Sequence, residues 1–400
     1  MHNPTPLVIN WHLTEACNYR CQYCYAAWSE SACRRELIHD PERTTALLSE
    51  LYRFFQPGNR ANPLASRMSW SSVRLNLAGG EPLLHAGKLP AIVSQARALG
   101  FEVSKISNGS RLTRELLDRL APQLTWLGIS IDSASPEINR VIGRIDRRGQ
   151  LLNLDELATN LHRARQSNPQ LRLKLNTVVN QLNHAEDLSA LIQRFAPQKW
   201  KVLRMLPVVN QHLAVSDQQF AAFVARHRTF ANILCAEDNQ DMRESYLMVD
   251  PHGRFFQNSP LIAGQGYAYS RPILEAGAEA AFAQMVFYPR ALQRALHPGC
   301  GRRGRMKYCS NKEIDQLIRQ LVRQGWRFHR GSKHGRLTHP SGRPTLTVAK
   351  SPSDCRSLQN FRRDLRSAES FRAANMFAGA DATQTVALVG QYHITTRRAP

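Results

Sequence analysis

Six short runs rich in β-branched and aromatic residues, each followed by a helix-length amphipathic stretch, govern what this chain can fold into. The candidate strands are Val8–Leu13, Val73–Leu77, Val103–Ser107, Trp126–Ile131, Arg172–Val179 and Trp200–Leu206. The intervening pattern predicts helices over Arg43–Phe55, Lys88–Leu99, Thr113–Leu120, Leu154–Gln166, His184–Phe195 and Ser216–Thr229. Thr113 before Glu115, and Asn153 before Asp155 and Glu156, are the expected N-caps. Repeated β–α alternation implies parallel strands with right-handed crossovers, in a doubly wound sheet or a partial barrel. Both architectures place ligands at the C-terminal ends of their strands.

With 42% hydrophobic and 21% charged residues in 400, the chain can bury a substantial core and is not globally disordered. Its apolar runs are too short to cross a bilayer. Met1–Leu13 carries no Lys, no Arg and no long apolar stretch, so it is not a secretory signal, and a cytoplasmic location is expected. The net charge of +22 is unevenly distributed. Between Cys300 and Arg372 there are 18 basic and 5 acidic residues, which marks this part as the expected polyanion contact. The division follows: a β/α region over 1–290, a basic linker over 291–306, an α-β-β-β-α unit over 307–372, and a tail over 373–400 with a candidate edge strand at Thr385–Val389.

Three of the eight cysteines, Cys17, Cys21 and Cys24, form C-x3-C-x2-C directly after the first strand. Three thiolates in one loop suit three irons of a cubane cluster with the fourth iron left open. A structural zinc site needs a fourth ligand, for which Cys33 is the nearest candidate and His39 the next. The second strand ends in Gly79-Gly80-Glu81-Pro82. Cys300, Cys309 and Cys355, with His297, are too irregularly spaced for a zinc knuckle, and they do not form the dense sets that carry auxiliary clusters.

The cysteine loop, with Tyr23 before its last cysteine, and the GGEP segment together resemble the radical S-adenosylmethionine (SAM) enzymes. Later blocks narrow the likeness. These are Ser107-Asn108-Gly109-Ser110, Ile129 to Ser133, Asn139 to Arg144, Lys174 to Asn180, Lys199 to Val202, Asn239 to Tyr246 and Asp250 to Phe256. In order and spacing they are similar to the viperin family, from about Leu7 to about Phe287. That resemblance implies a partial (βα)6 radical SAM barrel with a [4Fe-4S] cluster on Cys17, Cys21 and Cys24. It implies SAM bound by Gly79, Gly80, Glu81, Ser107, Asn108, Ser130 and Arg144, with Ser110 and Asp132 nearby. Cleavage of SAM to a 5′-deoxyadenosyl radical lets the cofactor do the hard chemistry while the barrel orients it. The implied substrate is a ribonucleoside triphosphate that loses its C4′ hydrogen and its 3′-hydroxyl, giving a chain-terminating 3′-deoxy-3′,4′-didehydro nucleotide. Arg144, Lys174, Asn176 and Lys201 match the family's triphosphate positions, and Tyr246 a tyrosine that approaches the substrate. An electron donor of flavodoxin or ferredoxin type is implied. The residues agree: Lys174 and Asn176 alternate with Leu173 and Leu175, so both polar groups leave one face of a strand, and Lys201 stands on the next. Singly, each of these would be an ordinary solvated polar residue. The family's His and Thr after the last cluster cysteine are replaced here by Tyr25 to Trp28, and its animal members' membrane helix has no counterpart.

From Lys307 to about Ser367 the chain resembles HicA-type toxins, small RNases with a double-stranded-RNA-binding-like fold. The carrying segments are Asn311–Gly325, Arg330 to His334 and Thr338-His339-Pro340, with a helix from about Ser357 to Arg366. The resemblance implies RNA as partner, an antitoxin as a further one, and His334 as the catalytic imidazole, while Lys333 departs from the family's frequent second histidine. Two other readings share these residues: a radical SAM enzyme acting on a peptide or RNA, and a toxin that uses the barrel as sensor.

Overall fold

The computed structural model describes residues 6–24, 33–207, 211–239, 241–242, 245–258, 267–285, 308–323, 326–330, 334–339, 345–349 and 356–366. The proposed linker 291–306, the tail with Thr385–Val389, Lys333, His297, Cys300 and Cys355 lie outside the described residues. The chain divides into two compact units, residues 1–301 and 302–400.

The first unit is built on β1 (Leu7–His12), β2 (Val73–Ala78), β3 (Glu102–Ser107), β4 (Trp126–Ser130), β5 (Arg172–Val179), β6 (Lys199–Arg204) and β7 (Leu234–Glu237), each parallel to the next. A further strand, β8 (Leu247–Val249), pairs parallel with the free side of β1, and β9 (Arg254–Asn258) and β10 (Tyr267–Pro272) extend the sheet antiparallel. The order β10-β9-β8-β1-β2-β3-β4-β5-β6-β7 is that of an open, partial barrel. It carries two more parallel strands than the six that periodicity predicts. β7 and β8 are four and three residues long, below the length at which a period-2 pattern is readable.

Helices α1 (Pro41–Phe55), α2 (Leu89–Leu99), α3 (Arg114–Leu120), α4 (Pro136–Ile142), α5 (Leu154–Ser167), α6 (Ser189–Phe195) and α7 (Asp217–Arg226) make the crossovers, with α8 (Ile273–Ala276) and α9 (Ala278–Ala283) after the last strand. Thr113 and Asn153 cap α3 and α5 as expected, accepting from the amides of Leu116, and of Asp155 and Glu156. The helix predicted from His184 begins only at Ser189. Asn180 and Asn183 cause the delay: their side-chain oxygens accept from the Leu182 and Asn180 amides and wind the chain into turns.

Side-chain alternation creates the two faces. Leu7, Ile9 and Trp11 on β1, Val73, Leu75 and Leu77 on β2, and Trp200 and Val202 on β6 are fully buried. The intervening Asn10, His12, Arg74, Asn76, Lys174, Asn176, Lys199 and Lys201 all line the cavities on the opposite face. Truncating one of the buried leucines to alanine removes about 2–5 kcal/mol.

In the second unit, α10 (Lys312–Arg323) precedes the antiparallel sheet β11 (Arg327–Arg330), β12 (His334–Thr338) and β13 (Thr345–Ala349), and residues 357–366 are helical. Its core joins Ile314, Ile318 and Leu321 to Trp326, Leu337, Leu346, Val348 and Phe361. Cys309 is buried in that core. Gly335 is required there, because a Cβ would lie 2.2 Å from the Phe328 ring.

Candidate active site

Two cavities occupy the barrel. The first, about 490 Å³, is lined by Cys17, Cys21 and Cys24 beyond the end of β1, by Gly79 and Gly80, and by Ser107, Asn108, Ser130 and Arg144. The second, about 430 Å³, opens toward the N-terminal ends of the strands, among Arg74, Arg172, Lys199 and Trp126. Asn10, Lys174, Lys201 and Tyr246 line both.

At the first cavity all three cysteines are free and partly buried, and they share its wall with one another. Burial pushes the Cys17 thiol up to about 11 and raises that of Cys21, so burial alone disfavours the free thiolates that a bound metal would favour. The Gly-Gly step lies against the start of this loop. The Gly80 amide donates to Thr14 O at 2.9 Å and that of Glu81 to Ala16 O at 2.8 Å. A Cβ on Gly80 would stand 2.1 Å from Ala16 O, and Gly79, at φ +132°, would meet Thr14 O at 2.7 Å. The glycines are therefore demanded by backbone-to-backbone contact with the cysteine loop. Three thiols on one cavity wall, a close-fitting glycine step and no fourth cysteine on that wall among the described residues suit a cluster with one open iron.

Glu81 is placed differently from the expectation. Its carboxylate is fully buried and is not on the cavity wall. It accepts from the Asn108 amide at 2.7 Å, the Leu83 amide at 2.9 Å and the Ser107 hydroxyl at 3.0 Å. Glu81 thus braces the ends of β2 and β3, and Ser107 spends its hydroxyl on that brace. Asn108 is tied to the cysteine loop, accepting from Ser110 and donating to Asn18 Oδ1 at 2.9 Å.

Arg144, expected at both SAM and the triphosphate, is held by several partners. Its guanidinium pairs with Asp132 at 3.0 Å, donates to the Tyr23 hydroxyl at 2.9 Å and to Ser130 O, and lies 5.5 Å from the Tyr19 ring. It lines the cysteine-bearing cavity and not the second one.

The lysines gather where the cavities meet. Strand register sets Lys174 beside Lys199 and Asn176 beside Lys201. Burial lowers the Lys174 ammonium well below its ordinary pKa, reinforced by the charges of Lys201, Lys199 and Arg74. Asn176 Oδ1 is buried with no hydrogen-bond partner. Lys201 is held by Glu237 at 2.9 Å, and the Tyr246 hydroxyl bonds both of them. Opposite runs a ladder from Ser104 Oγ to Asn76, from Asn76 to Asn10, and from Asn10 to Leu247 O. Trp126 has Arg74 and Arg172 over its ring at 5.9 and 5.6 Å. His12, whose ring meets Phe256 edge-on, is held neutral by burial, its pKa falling to about 4.

Arg74, Lys199, Arg172, Glu237 and Asn10 escape the sequence reading, although a signal for most of them existed. Arg74 and Asn76 alternate with Val73, Leu75 and Leu77 just as Lys174 and Asn176 alternate with leucines. Glu237 had none, being the last residue of a four-residue strand. Tyr246 lines both cavities. His334 lies in the other unit, exposed at the start of β12.

Comparison with known proteins identifies the family and the fold. Residues 11–165 match the Radical SAM superfamily. The solved structure of native anSMEcpe with bound AdoMet shares the fold, at a TM-score of 0.51 and 13% identity, over 69% of this chain and 81% of that one. An S-adenosylmethionine-dependent nucleotide dehydratase of Danio rerio is 31% identical over 63% of this chain and 67% of its own length. A protein of the same name from Psychrobacter lutiphocae is 41% identical over 70% of this chain and 91% of its own. The chain therefore belongs to the S-adenosylmethionine-dependent nucleotide dehydratases, radical SAM enzymes whose cofactors are a [4Fe-4S] cluster and S-adenosylmethionine.

Proposed function

We propose that the first unit dehydrates a ribonucleoside triphosphate to its 3′-deoxy-3′,4′-didehydro form, a terminator of RNA chains and an antiviral product. The observation that carries this reading is the junction of the two cavities, where a thiol-lined chamber meets a pocket bearing Arg74, Lys174, Lys199 and Lys201. Cys17, Cys21 and Cys24 would hold the cluster, and Gly79, Gly80, Asn108, Ser130 and Arg144 would border SAM. Together the bound cofactors supply the electron and the carbon radical that remove the ribose C4′ hydrogen. Lys174, Asn176 and Lys201, joined by Arg74 and Lys199, would hold the triphosphate, since neighbouring ammonium and guanidinium groups match its oxygens. Tyr246, bonded to Lys201, would meet the ribose and supply the proton that, with a second electron from the donor, lets the 3′-hydroxyl leave the C4′ radical as water. A flavodoxin- or ferredoxin-type protein would deliver the electrons.

The test is anaerobic incubation of the reduced, cluster-loaded protein with SAM and each ribonucleoside triphosphate in turn. A nucleotide lighter by one water, formed together with 5′-deoxyadenosine, is expected. Equal 5′-deoxyadenosine with and without nucleotide would overturn the reading.

For the second unit we propose RNA binding, as in HicA-type modules. Arg327, His329, His334 and Arg336 are exposed on its sheet, with His329 beside Arg336 in register, while Phe328, Leu337, Leu346 and Val348 face inward. Such a face suits phosphate contacts without sequence preference. His334→Ala separates cleavage from binding: loss of RNA cutting with binding retained makes His334 the catalytic imidazole. Binding with no cutting by the intact chain makes the unit an RNA-binding module alone. Its restraint by a separate antitoxin belongs to the first outcome.

A further inference from the structure

We propose that Glu36, His39 and His85 form a second metal site, distinct from the cluster cysteines, that takes one divalent first-row ion of the zinc type. The three residues offer ligand atoms that all lie within 4.8 Å of one another, and the His39 Nε2 to Glu36 Oε2 distance is 3.8 Å. Donors around a tetrahedral zinc stand about 3.3 Å apart, so small side-chain rotations close the set. Nε2 of His39 and Nε2 of His85 are both buried and neither has a hydrogen-bond partner. Two imidazole nitrogens left unsatisfied beside a buried carboxylate are what a metal would satisfy.

Local structure brings these groups together. Glu36 immediately precedes the single-turn helix Leu37–His39, and His85 ends the corresponding turn Pro82–His85 after the Gly-Gly step. The two imidazoles meet edge to face with centroids 5.1 Å apart. Burial lowers the pKa of both histidines, which favours the neutral, ligating form. Glu36 already accepts from the Thr14 hydroxyl and the Glu15 amide, both at 2.8 Å, and each carboxylate oxygen retains a lone pair. A surface cleft of about 510 Å³ borders Glu36 and His39, lined also by Asp40, Glu42, Arg34, Arg35 and Arg43.

One cation meets a ligand directly. Lys88 Nζ lies 2.9 Å from His39 Nδ1 and 3.1 Å from Ile38 O. As a donor to Nδ1 it leaves the imidazole proton on Nε2, so metal binding must move that proton to Nδ1 and displace the exposed lysine. The site would couple the cysteine loop, through Glu36 and Thr14, to the turn that follows Gly79 and Gly80. Its ion would be structural, stiffening the loop from outside the cavity.

The test is anaerobic titration of the full, cluster-loaded chain, freed of loosely held metal, with Co2+ as the probe. One equivalent with visible ligand-field bands typical of nitrogen and oxygen donors is expected, competed away by Zn2+. His39→Ala and His85→Ala should each weaken binding at least about tenfold. The surface variant Lys88→Ala, which leaves the ligands intact, should tighten it. The proposal is overturned if Co2+ does not bind, if it binds with a thiolate charge-transfer band, or if affinity is unchanged in Lys88→Ala and in whichever histidine variant folds.

Discussion

The Glu237 carboxylate holds the Lys201 ammonium at 2.9 Å, and the Tyr246 hydroxyl joins both. The three groups form a nearly dry cluster, with Lys201 and Glu237 side chains only 12% and 9% exposed. Breaking such a pair on one side leaves a buried charge unpartnered and costs about 3–5 kcal/mol. Glu237→Gln keeps the volume and removes the charge. Its turnover should fall at least about tenfold through loss of the oriented Tyr246, while nucleotide affinity holds or improves, because Lys201 is freed toward phosphate. Rapid-mix turnover and equilibrium nucleotide binding check the two halves separately. A weakened Kd with unchanged turnover would assign Glu237 to binding.

With Lys174 at the proposed triphosphate site, nucleotide binding should be proton-linked. Burial, with Lys201, Lys199 and Arg74 around it, depresses its pKa in the free enzyme. A bound triphosphate favours the charged form and raises that pKa again. Binding should therefore take up protons above the free-state pKa, and affinity should decline as pH rises through it. Calorimetry in two buffers of different ionisation enthalpy reads this uptake directly. Lys174→Met should abolish it, whereas uptake unchanged in that variant would move the linkage to another group.

Lys105 is a buried cation in the helix-facing layer of β3, 1% exposed, with Glu81 at 3.9 Å. Burial lowers its pKa from 10.5 to about 8. Between those values the unfolded chain holds a proton that the native chain has lost. Stability from this group therefore rises as pH climbs from about 8 toward 10.5, by at most about 3 kcal/mol. Below pH 8 the buried charge is a cost. Glu81 keeps its hydrogen bonds to Leu83, Ser107 and Asn108 without it. Lys105→Met should accordingly raise the urea midpoint at pH 7, and the advantage should shrink toward pH 10. A lower midpoint at pH 7 would mean that the Glu81 attraction outweighs desolvation.

Much of this architecture is readable from period and spacing alone. Apolar side chains at alternate positions of β1, β2, β5 and β6 pack outward, which leaves Lys174 and Asn176 for the lumen as their alternation requires. The same rule, applied to Arg74 on β2 and Lys199 on β6, would have found the rest of the cationic pocket. Other features depend on tertiary pairing. No local pattern reveals that Glu81 turns away from the cavity to meet Ser107 and the Asn108 amide, or that Asp132 and Tyr23 claim Arg144. The histidine pair at 39 and 85 is separated by an entire helix and strand, so only the fold brings it to Glu36.

Gly80 offers the sharpest test of how the cysteine loop is held. Its amide bonds Thr14 O, and the space a Cβ would take is filled by Ala16 O at 2.1 Å, a backbone atom that cannot rotate aside. Gly80→Ala must push the strand end and the loop apart, breaking the Gly80 and Glu81 amide bonds that align them. The cost should fall on the cysteines before it falls on the sheet, whose Leu75 and Leu77 stay packed. Iron and sulfide content after reconstitution should drop severalfold relative to the unchanged protein, while far-ultraviolet circular dichroism is preserved. Gly87→Ala is the control, because nothing lies within 4 Å of a Cβ there. Full cluster content in Gly80→Ala would show that the loop accommodates the methyl group and that this contact does not set the cysteine geometry.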